Sequence, residues 1–521
     1  MRVRLTSRKE LVEANTLTLL SLYHFFRDSL SSTTMNLGPR SRRRILRALC
    51  LIFLTSLLAA QIQQAPQQPS SANADSVSSE LVHQLEAIKS TALSDDYAYR
   101  QLAHLTENIG PRPAGSAAAN AAVEYVAAQM RELGLDVHLD KCKVRHWVRG
   151  TETAELVDYA GHATEMQQKI VLTALGGSTS TGADGITADI VVVDDFDQLK
   201  TLGRDRVTGK IVLFNQKFDK QKANAGLGFA AYRETVGYRE KGPQAAAQLG
   251  AVAVLVRSIG SDDYRLPHTG DSDPAGIPTG AVTPEDADLI AHLAAEAPVR
   301  MHLTLTPQKL PDETSYNVIG DLKGSEHPEQ IVIVSGHLDS WDLGTGAIDD
   351  AAGVVMAMET AQLLQRLRLH PKRTLRVIAW MDEETDGAGS IQYRKEHKSD
   401  FTNHIAAIES DVGAAHPLGF FTKMSKAAAE ALTPVQTVLS SIGASVMHEA
   451  SHPPGITDIA PLSEEGVPVL GLMQDTRDYY AYHHSAADTL DKVVPSELRE
   501  NAAAMAVMAY ALADMENPLP R

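Results

Sequence analysis

The chain has 521 residues, 44% hydrophobic and 22% charged, which is enough for two domains with sizeable cores and unlike a disordered, collagenous or disulfide-framework chain. Formal charge is −17, but residues 1–60 hold ten Lys/Arg against three Asp/Glu, so the remainder carries −24. So acidic a body argues against nucleic acid or an anionic membrane as partner.

Residues 40–47 read RSRRRILR, an apolar run follows to Ala60, and Gln, Pro, Ser and Ala dominate to about residue 78. This order describes a secretory signal over 1–60, starting at Met35 and removed, then a linker over 61–79. The apolar run is too short for a comfortable membrane span, so none is expected after signal removal. A genuine extension before Met35 would instead make the segment an uncleaved anchor. The mature protein is expected to be secreted or periplasmic. Cys142 would be its one thiol; its surroundings, HLDKCKVRHW, look like an amphipathic strand, and it receives no chemical role.

SELVHQLEAIKS and AANAAVEYVAAQMRELG have helical periodicity, with Val123, Val126, Met130 and Leu133 on one face and Gly134 as a stop. Between about 160 and 305, short apolar runs at 190–193, 210–214, 251–256 and 301–306 surround one clear helix, KGPQAAAQLGA. That pattern predicts a small β-rich domain. From 315 to 515, strand and helix alternate: SYNVIGDL, EQIVIVSGH, a helix from Asp349, TLRVIAWMDEE, helices near 387–398 and 425–442, HIAAIESD, VPVLGLMQD and a last helix from Ser496. The prediction is an α/β domain over 80–160 and 306–515, its largely parallel sheet flanked by helices, with 161–305 inserted.

Acidic and imidazole side chains collect where those strands end: His337 and Asp339, Asp349 and Asp350, Glu383 and Glu384, Asp411, and the loop pair His483 and His484. In open α/β sheets the ligand crevice lies beyond the carboxyl ends of the strands. Singly, Asp349 or Asp350 reads as a helix cap, Glu383 and Glu384 as a solvated pair, and His337 as a core histidine. Together they would repel and desolvate badly without cations, so a metal site is the economical reading. Imidazole and carboxylate without thiolate suit zinc, with manganese or cobalt as substitutes. Five ligands exceed one four-coordinate zinc and fit two metals sharing a carboxylate, an arrangement for hydrolysis.

His448-Glu-Ala-Ser-His452 matches the HExxH pattern of single-zinc proteases, which requires a helix. Pro453 and Pro454 follow at once and push His452 out of the helical region. A loop or strand end is expected there, with His452 lining the crevice. No GxSxG elbow or phosphate-binding GxxxxGK[ST] loop occurs.

These residues give the chain a resemblance to the co-catalytic di-zinc exopeptidases. It is carried by ENIGPRPAGS, SGHLDSWDLGTGAIDDAAG at 335–353, AWMDEETDGAGS at 379–390, IESDVG at 408–413, GITDIAPLSEEGVPVLGL at 455–472 and YHHSAADT at 482–489. The resemblance implies two zinc ions per chain bridged by Asp349, one held by His337 and Asp411, the other by Glu384 and His484. It implies Glu383 as general base, Asp339 as the carboxylate that orients a histidine ligand, and a cis peptide after Asp349. The insertion is similar to a protease-associated domain, and a homodimer is implied. The substrate class is dipeptides or short peptides. Aminopeptidases share almost the same shell, although DSWD at 339–342 tilts the reading toward a carboxypeptidase. Trp341, Asp342, Asp458, Tyr480 and Tyr482 are the pocket candidates, with packing as the competing role for the tyrosines. A non-catalytic binding ectodomain would be expected to have lost ligands or base, and every position is present.

Overall fold

The computed structural model describes residues 77–521 apart from Thr164 and Asp263. The expected signal segment, and the linker as far as residue 76, lie outside the described residues.

Two eight-stranded sheets organise the described residues. The first runs in the order Asp136–Val148, Gln308–Leu322, Arg373–Trp380, His327–His337, His404–Glu409, Val469–Gln474, Pro417–Lys423, Val446–Glu449. Its centre, from Arg373–Trp380 to Val469–Gln474, is parallel. Antiparallel neighbours flank that centre on both sides. The sheet is therefore mixed, and the expected parallel character belongs to its middle. The sequence carries the reason: Arg373–Trp380 is buried at every position, as a strand covered on both faces must be. Asp136–Val148 instead alternates exposed and buried residues, which suits a sheet edge.

The two faces bury different residues of the same strand. Val332 and Val334 join the core beneath helices Ser79–Ala92, Ala352–Leu367 and Pro495–Asp514, while Ile331 and Ile333 join one with Trp380, Tyr393 and Leu462. This is the two-residue period of a pleated strand. Helix starts follow capping chemistry: Ser78 and Ser116 accept the backbone N–H groups of Leu81 and Ala119. The helix expected near 425–442 is broken into Lys426–Ala431, Thr433–Leu439 and a last turn at Ser440–Ile442, with Pro434 interrupting the hydrogen-bond ladder.

The second sheet is ordered Gln168–Ile170, Glu152–Asp158, Arg300–Leu305, Ile186–Val193, Ile211–Phe214, Ala253–Arg257, Thr279–Val282, Leu172–Ala174. Glu152–Asp158, which the sequence placed before the insertion, pairs with Arg300–Leu305 here. The β-rich expectation with one helix is corrected, because helices Phe196–Val207, Gly228–Glu240 and Pro284–Glu296 accompany Gly242–Gln248. Pro284–Glu296 carried readable signals, namely Thr283 accepting from the Asp286 N–H, proline in the first turn and an acidic start. Gly228–Glu240 has no side-chain cap and a glycine within it, so propensity hides it.

One buried acid makes stability depend on pH. Glu359, in helix Ala352–Leu367, is fully buried; it accepts only the Ala98 N–H, and its Oε1 has no partner. Burial, with the nearby Asp95 charge, pushes its carboxyl up to about 8. The folded state therefore holds a proton that the unfolded state has released, and this group makes stability fall as pH rises from about 4.5 to about 8. Glu359→Gln should raise the melting temperature at pH 8 by several degrees and change little near pH 4.5. An equal shift at both pH values in a thermal melt would contradict this assignment.

Candidate metal centre

The parallel strands deliver their side chains to one end of the first sheet. His337 closes strand His327–His337, Asp349 and Asp350 lie in the turn Ala347–Ala351, Glu383 and Glu384 follow Arg373–Trp380, and Asp411 follows His404–Glu409. His483 and His484 follow the short helix Tyr479–Tyr482. Helix and strand approach closely enough that a Cβ on Gly353 would lie 2.0 Å from the Ser410 carbonyl oxygen. Only glycine fits there.

Asp349 is central. Its Oδ1 lies 3.1 Å from His337 Nε2, and its Oδ2 lies 3.4 Å from His484 Nε2. His337 Nε2 is also 3.5 Å from Asp411 Oδ1, and His484 Nε2 is 3.0 Å from Glu384 Oε2. Two triads thus share Asp349. The second imidazole nitrogens fix the tautomers: His337 Nδ1 donates to the Asp339 carbonyl at 3.0 Å, and His484 Nδ1 to the Thr269 carbonyl at 3.3 Å. Each Nε2 then directs a lone pair at carboxylate oxygens, an arrangement that a cation makes attractive and its absence makes repulsive. Asp349 Oδ2 and Glu384 Oε1 are buried without a hydrogen-bond partner. Donor set, tautomers and unpartnered oxygens all fit a cation on each side of Asp349.

The electrostatics agree. Burial drives Glu384 well above the usual carboxylate range and Glu383 up to about 8, the latter opposed by the His337 charge and reinforced by Asp411 and Asp349. Burial and then the two carboxylates act in opposite directions on His337, and the carboxylates win, raising it. A cation would remove the strain of these like charges.

Buried polar groups brace the cluster. Asp350 accepts the backbone N–H groups of His337 and Gly353, tying the strand end to the helix start, and the Asp349–Asp350 peptide is cis, as the resemblance implied. Asp488 accepts the N–H groups of Ala347 and Ile348 at 2.8 Å. Arg112 is fully buried and donates to the Leu338, Thr345 and Gly346 carbonyls, closing the loop after His337. Asp339 meets His337 with two atoms. Its backbone carbonyl takes the imidazole N–H, and its carboxylate, 3.8 Å from the same nitrogen, also accepts the N–H groups of Asp382, Glu383 and Glu384. Asp382 and His484 are both non-glycine residues with positive φ, 76° and 58°. Backbone strain thus sits beside the functional side chains, where surrounding structure must hold it.

Asp349, Glu383, Glu384, Asp411, His483 and His484 line a cavity of about 440 Å³. Trp341 lies in a neighbouring pocket of about 160 Å³ that shares Glu384, and its buried Nε1 has no partner. Asp342 also lines that pocket, but Arg149 takes its carboxylate with two hydrogen bonds, at 2.7 and 2.8 Å. Asp458 is buried with both oxygens unpartnered, and the nearby Glu409 helps hold it well above the carboxylate range; it does not line the cavity. Tyr482 is half-buried against Lys492, outside the cavity, whereas Tyr480 lines it and packs on Tyr232 and Phe218. The HEASH segment is strand Val446–Glu449 followed by a bend, as its prolines required. His452 borders a separate groove.

Sequence reasoning missed Tyr232, Arg239 and Asp271, which line the same cavity from the segment between the two parts of the first sheet. No strand-end rule reaches them. Of the loop pair, the resemblance implies His484 and not His483 as ligand. His483 Nε2 lies 3.7 Å from Asp349 Oδ2 and its ring stacks on His484 at 3.6 Å, but only His484 also meets Glu384. His484→Ala should therefore lose about half the bound metal, and His483→Ala should retain it. Elemental analysis of the two variants decides, and the reverse result would exchange their roles.

The chain matches the model of Peptidase family M28 over residues 317–509. It is 35% identical over 465 residues to carboxypeptidase Q of Bos taurus, covering 87% of this chain and 94% of that protein. Against carboxypeptidase Q of Homo sapiens the identity is 37% over 431 residues, 81% of this chain and 87% of the other. The crystal structure of a Peptidase M28 precursor from Shewanella amazonensis SB2B superposes with a TM-score of 0.79 at 34% identity, covering 85% of this chain and 98% of that one. Extent and identity together mean that this chain belongs to peptidase family M28, among the relatives of carboxypeptidase Q.

Proposed function

We propose that the protein is a zinc-dependent carboxypeptidase that hydrolyses dipeptides or short peptides. The pair of triads sharing Asp349, beside a half-buried Glu383, carries the zinc-hydrolase part of this reading, and the 35–37% identity to carboxypeptidase Q carries the rest. In this reading His337 and Asp411 hold one zinc, His484 and Glu384 the other, and Asp349 both. A zinc pair supplies Lewis acidity, polarising a peptide carbonyl and making water acidic enough to attack near neutral pH. Glu383 takes the water proton on its carboxylate and returns it to the leaving amine. Its upward shift by burial prepares it to hold that proton, and the bound cations would bring it back toward the working pH. Asp339 fixes the backbone of residues 382–384 and so aims both glutamates.

The second sheet with its helices is the insertion that the sequence likens to a protease-associated domain, and it closes one side of the cavity. The basic and apolar segment over 35–60 supports export to a secreted or periplasmic location, and no helix among the described residues is long and apolar enough to cross a membrane. The homodimer implied by the resemblance belongs to the same proposal.

The test is one dipeptide offered to the zinc-loaded protein free, amino-blocked and carboxyl-amidated, with products read by mass spectrometry. Cleavage that survives amino-blocking and is lost on amidation is expected. Loss on amino-blocking alone would make the enzyme an aminopeptidase, and loss with either change a dipeptidase. No cleavage with both zincs bound would favour a binding role.

A further inference from the structure

We infer that His268, which lies outside the first sheet, is a positioning residue for the metal centre: it holds the peptide group that precedes His484 and so aims that imidazole at Asp349 and Glu384. This inference rests on the two-zinc reading above and deepens it.

His484 has to be held. Its φ of 58° lies in the left-handed region, which is costly for a residue with a Cβ. The φ and ψ of a residue are set by the two planar peptide groups on either side of its Cα. Around His484 the carbonyls of both groups are taken by residues 268 and 269, which lie between strands Ala253–Arg257 and Thr279–Val282 of the second sheet. His268 Nδ1 donates to the His483 carbonyl at 2.7 Å, and the Thr269 N–H donates to the His484 carbonyl at 2.8 Å. The Thr269 carbonyl in turn accepts His484 Nδ1 at 3.3 Å. The peptide group after His484 is held twice, because the Ser485 N–H also donates to the Tyr482 carbonyl at 3.1 Å. The group before it depends on His268.

His268 is itself firmly seated. It is 3% exposed, Ser258 Oγ accepts its backbone N–H at 3.0 Å, and its ring lies against Gly260, where an added Cβ would run into Nε2. The Thr269 hydroxyl donates to the Ala174 carbonyl at 2.9 Å, which ties the pair to strand Leu172–Ala174. Nδ1 must carry the proton, since only a donor can face a carbonyl. Release of the His483 carbonyl would let the peptide group turn about the N–Cα bond of His484 and swing the imidazole through an arc. Zinc–nitrogen bonds of about 2.0–2.1 Å leave little room for that. His337 and Asp411 come from strand ends of the first sheet and draw nothing from this segment, so the loss of His268 acts on one zinc site of the two.

The experiment titrates zinc into the metal-free full chain against a competing chelator, for wild type, His268→Leu and His268→Asn. Leucine and asparagine share a branched outline, and only asparagine offers an N–H near the place of Nδ1. Wild type is expected to take up two zinc ions. His268→Leu should keep the affinity for the first ion and lose about 10–100-fold for the second, and His268→Asn should recover most of that loss. Crystals of His268→Leu grown at limiting zinc should show a full anomalous peak beside His337 and a weak one beside Glu384, and peptidase activity lost at limiting zinc should return with excess. A histidine that only packs the core would lower the melting temperature in chelator and leave both zinc affinities alone, a result that would overturn the inference. An equal loss at both sites, or no recovery with asparagine, would overturn it too. If wild type takes up no second zinc, the two-zinc reading itself falls and the inference with it. Should His268→Leu not fold, Gly260→Ala makes the same comparison by displacing the ring, and wild-type affinity for both ions in that variant would count against His268.

Discussion

Glu383→Gln should leave the metal content unchanged while kcat falls by about 10²–10⁴-fold, the usual worth of a positioned acid–base group. The amide has nearly the shape of the carboxylate but cannot accept the water proton. Glu383 lines the cavity and lies outside both triads, so its replacement removes no proposed ligand. It also removes one of several mutually repelling acids, so the variant should melt no lower than wild type. Near-normal turnover would refute the base, and loss of zinc would make Glu383 a ligand instead. KM should change little, since the proton transfer is made in the transition state and not in the ground-state complex.

Asp349→Ala should abolish binding of both zinc ions together. Asp349 is the residue common to the two triads, with Oδ1 toward His337 and Oδ2 toward His484. Without it each cation site retains one imidazole and one carboxylate, too few for a stable four-coordinate zinc. The consequence extends to stability, because a ligand that binds only the folded state stabilises it in proportion to the logarithm of one plus its concentration over Kd. Wild type should therefore melt several degrees lower after chelation, while Asp349→Ala should not respond to chelator. Retention of one zinc per chain would show independent sites and refute bridging.

The contrast with Glu359 separates two kinds of buried acid. Glu359 lies in the helical layer, with Ala98 as its hydrogen-bond donor, and protonation satisfies it. The acids at the strand ends crowd one another in a buried space, and cations can neutralise them while leaving them ionised.

The candidate metal centre was legible in the sequence because most of its side chains follow strands whose apolar runs are readable. IVIVSGH, RVIAW and HIAAIES are parallel neighbours, and parallel order brings their carboxyl ends to one edge. The mixed character of the sheet was not legible, since antiparallel pairing of Gln308–Leu322 and Pro417–Lys423 depends on partners far along the chain. The helix Gly228–Glu240 was missed for lack of a cap, and with it Tyr232 and Arg239. A side chain that enters a site from another layer leaves no periodic mark. The same holds for Asp339, whose carboxylate lies 3.8 Å from His337 and also holds three backbone N–H groups that spacing does not announce. Spacing identifies the residue, whereas the choice between its carbonyl and carboxylate is decided by how the loop turns.

The measurement closest to the central claim is anomalous diffraction at the zinc absorption edge from crystals of the zinc-loaded protein. The account predicts two peaks on either side of Asp349, about 3.5–4 Å apart, one within coordination distance of His337 and Asp411 and the other of Glu384 and His484. A single peak, or a second one held by His483 in place of His484, would contradict it.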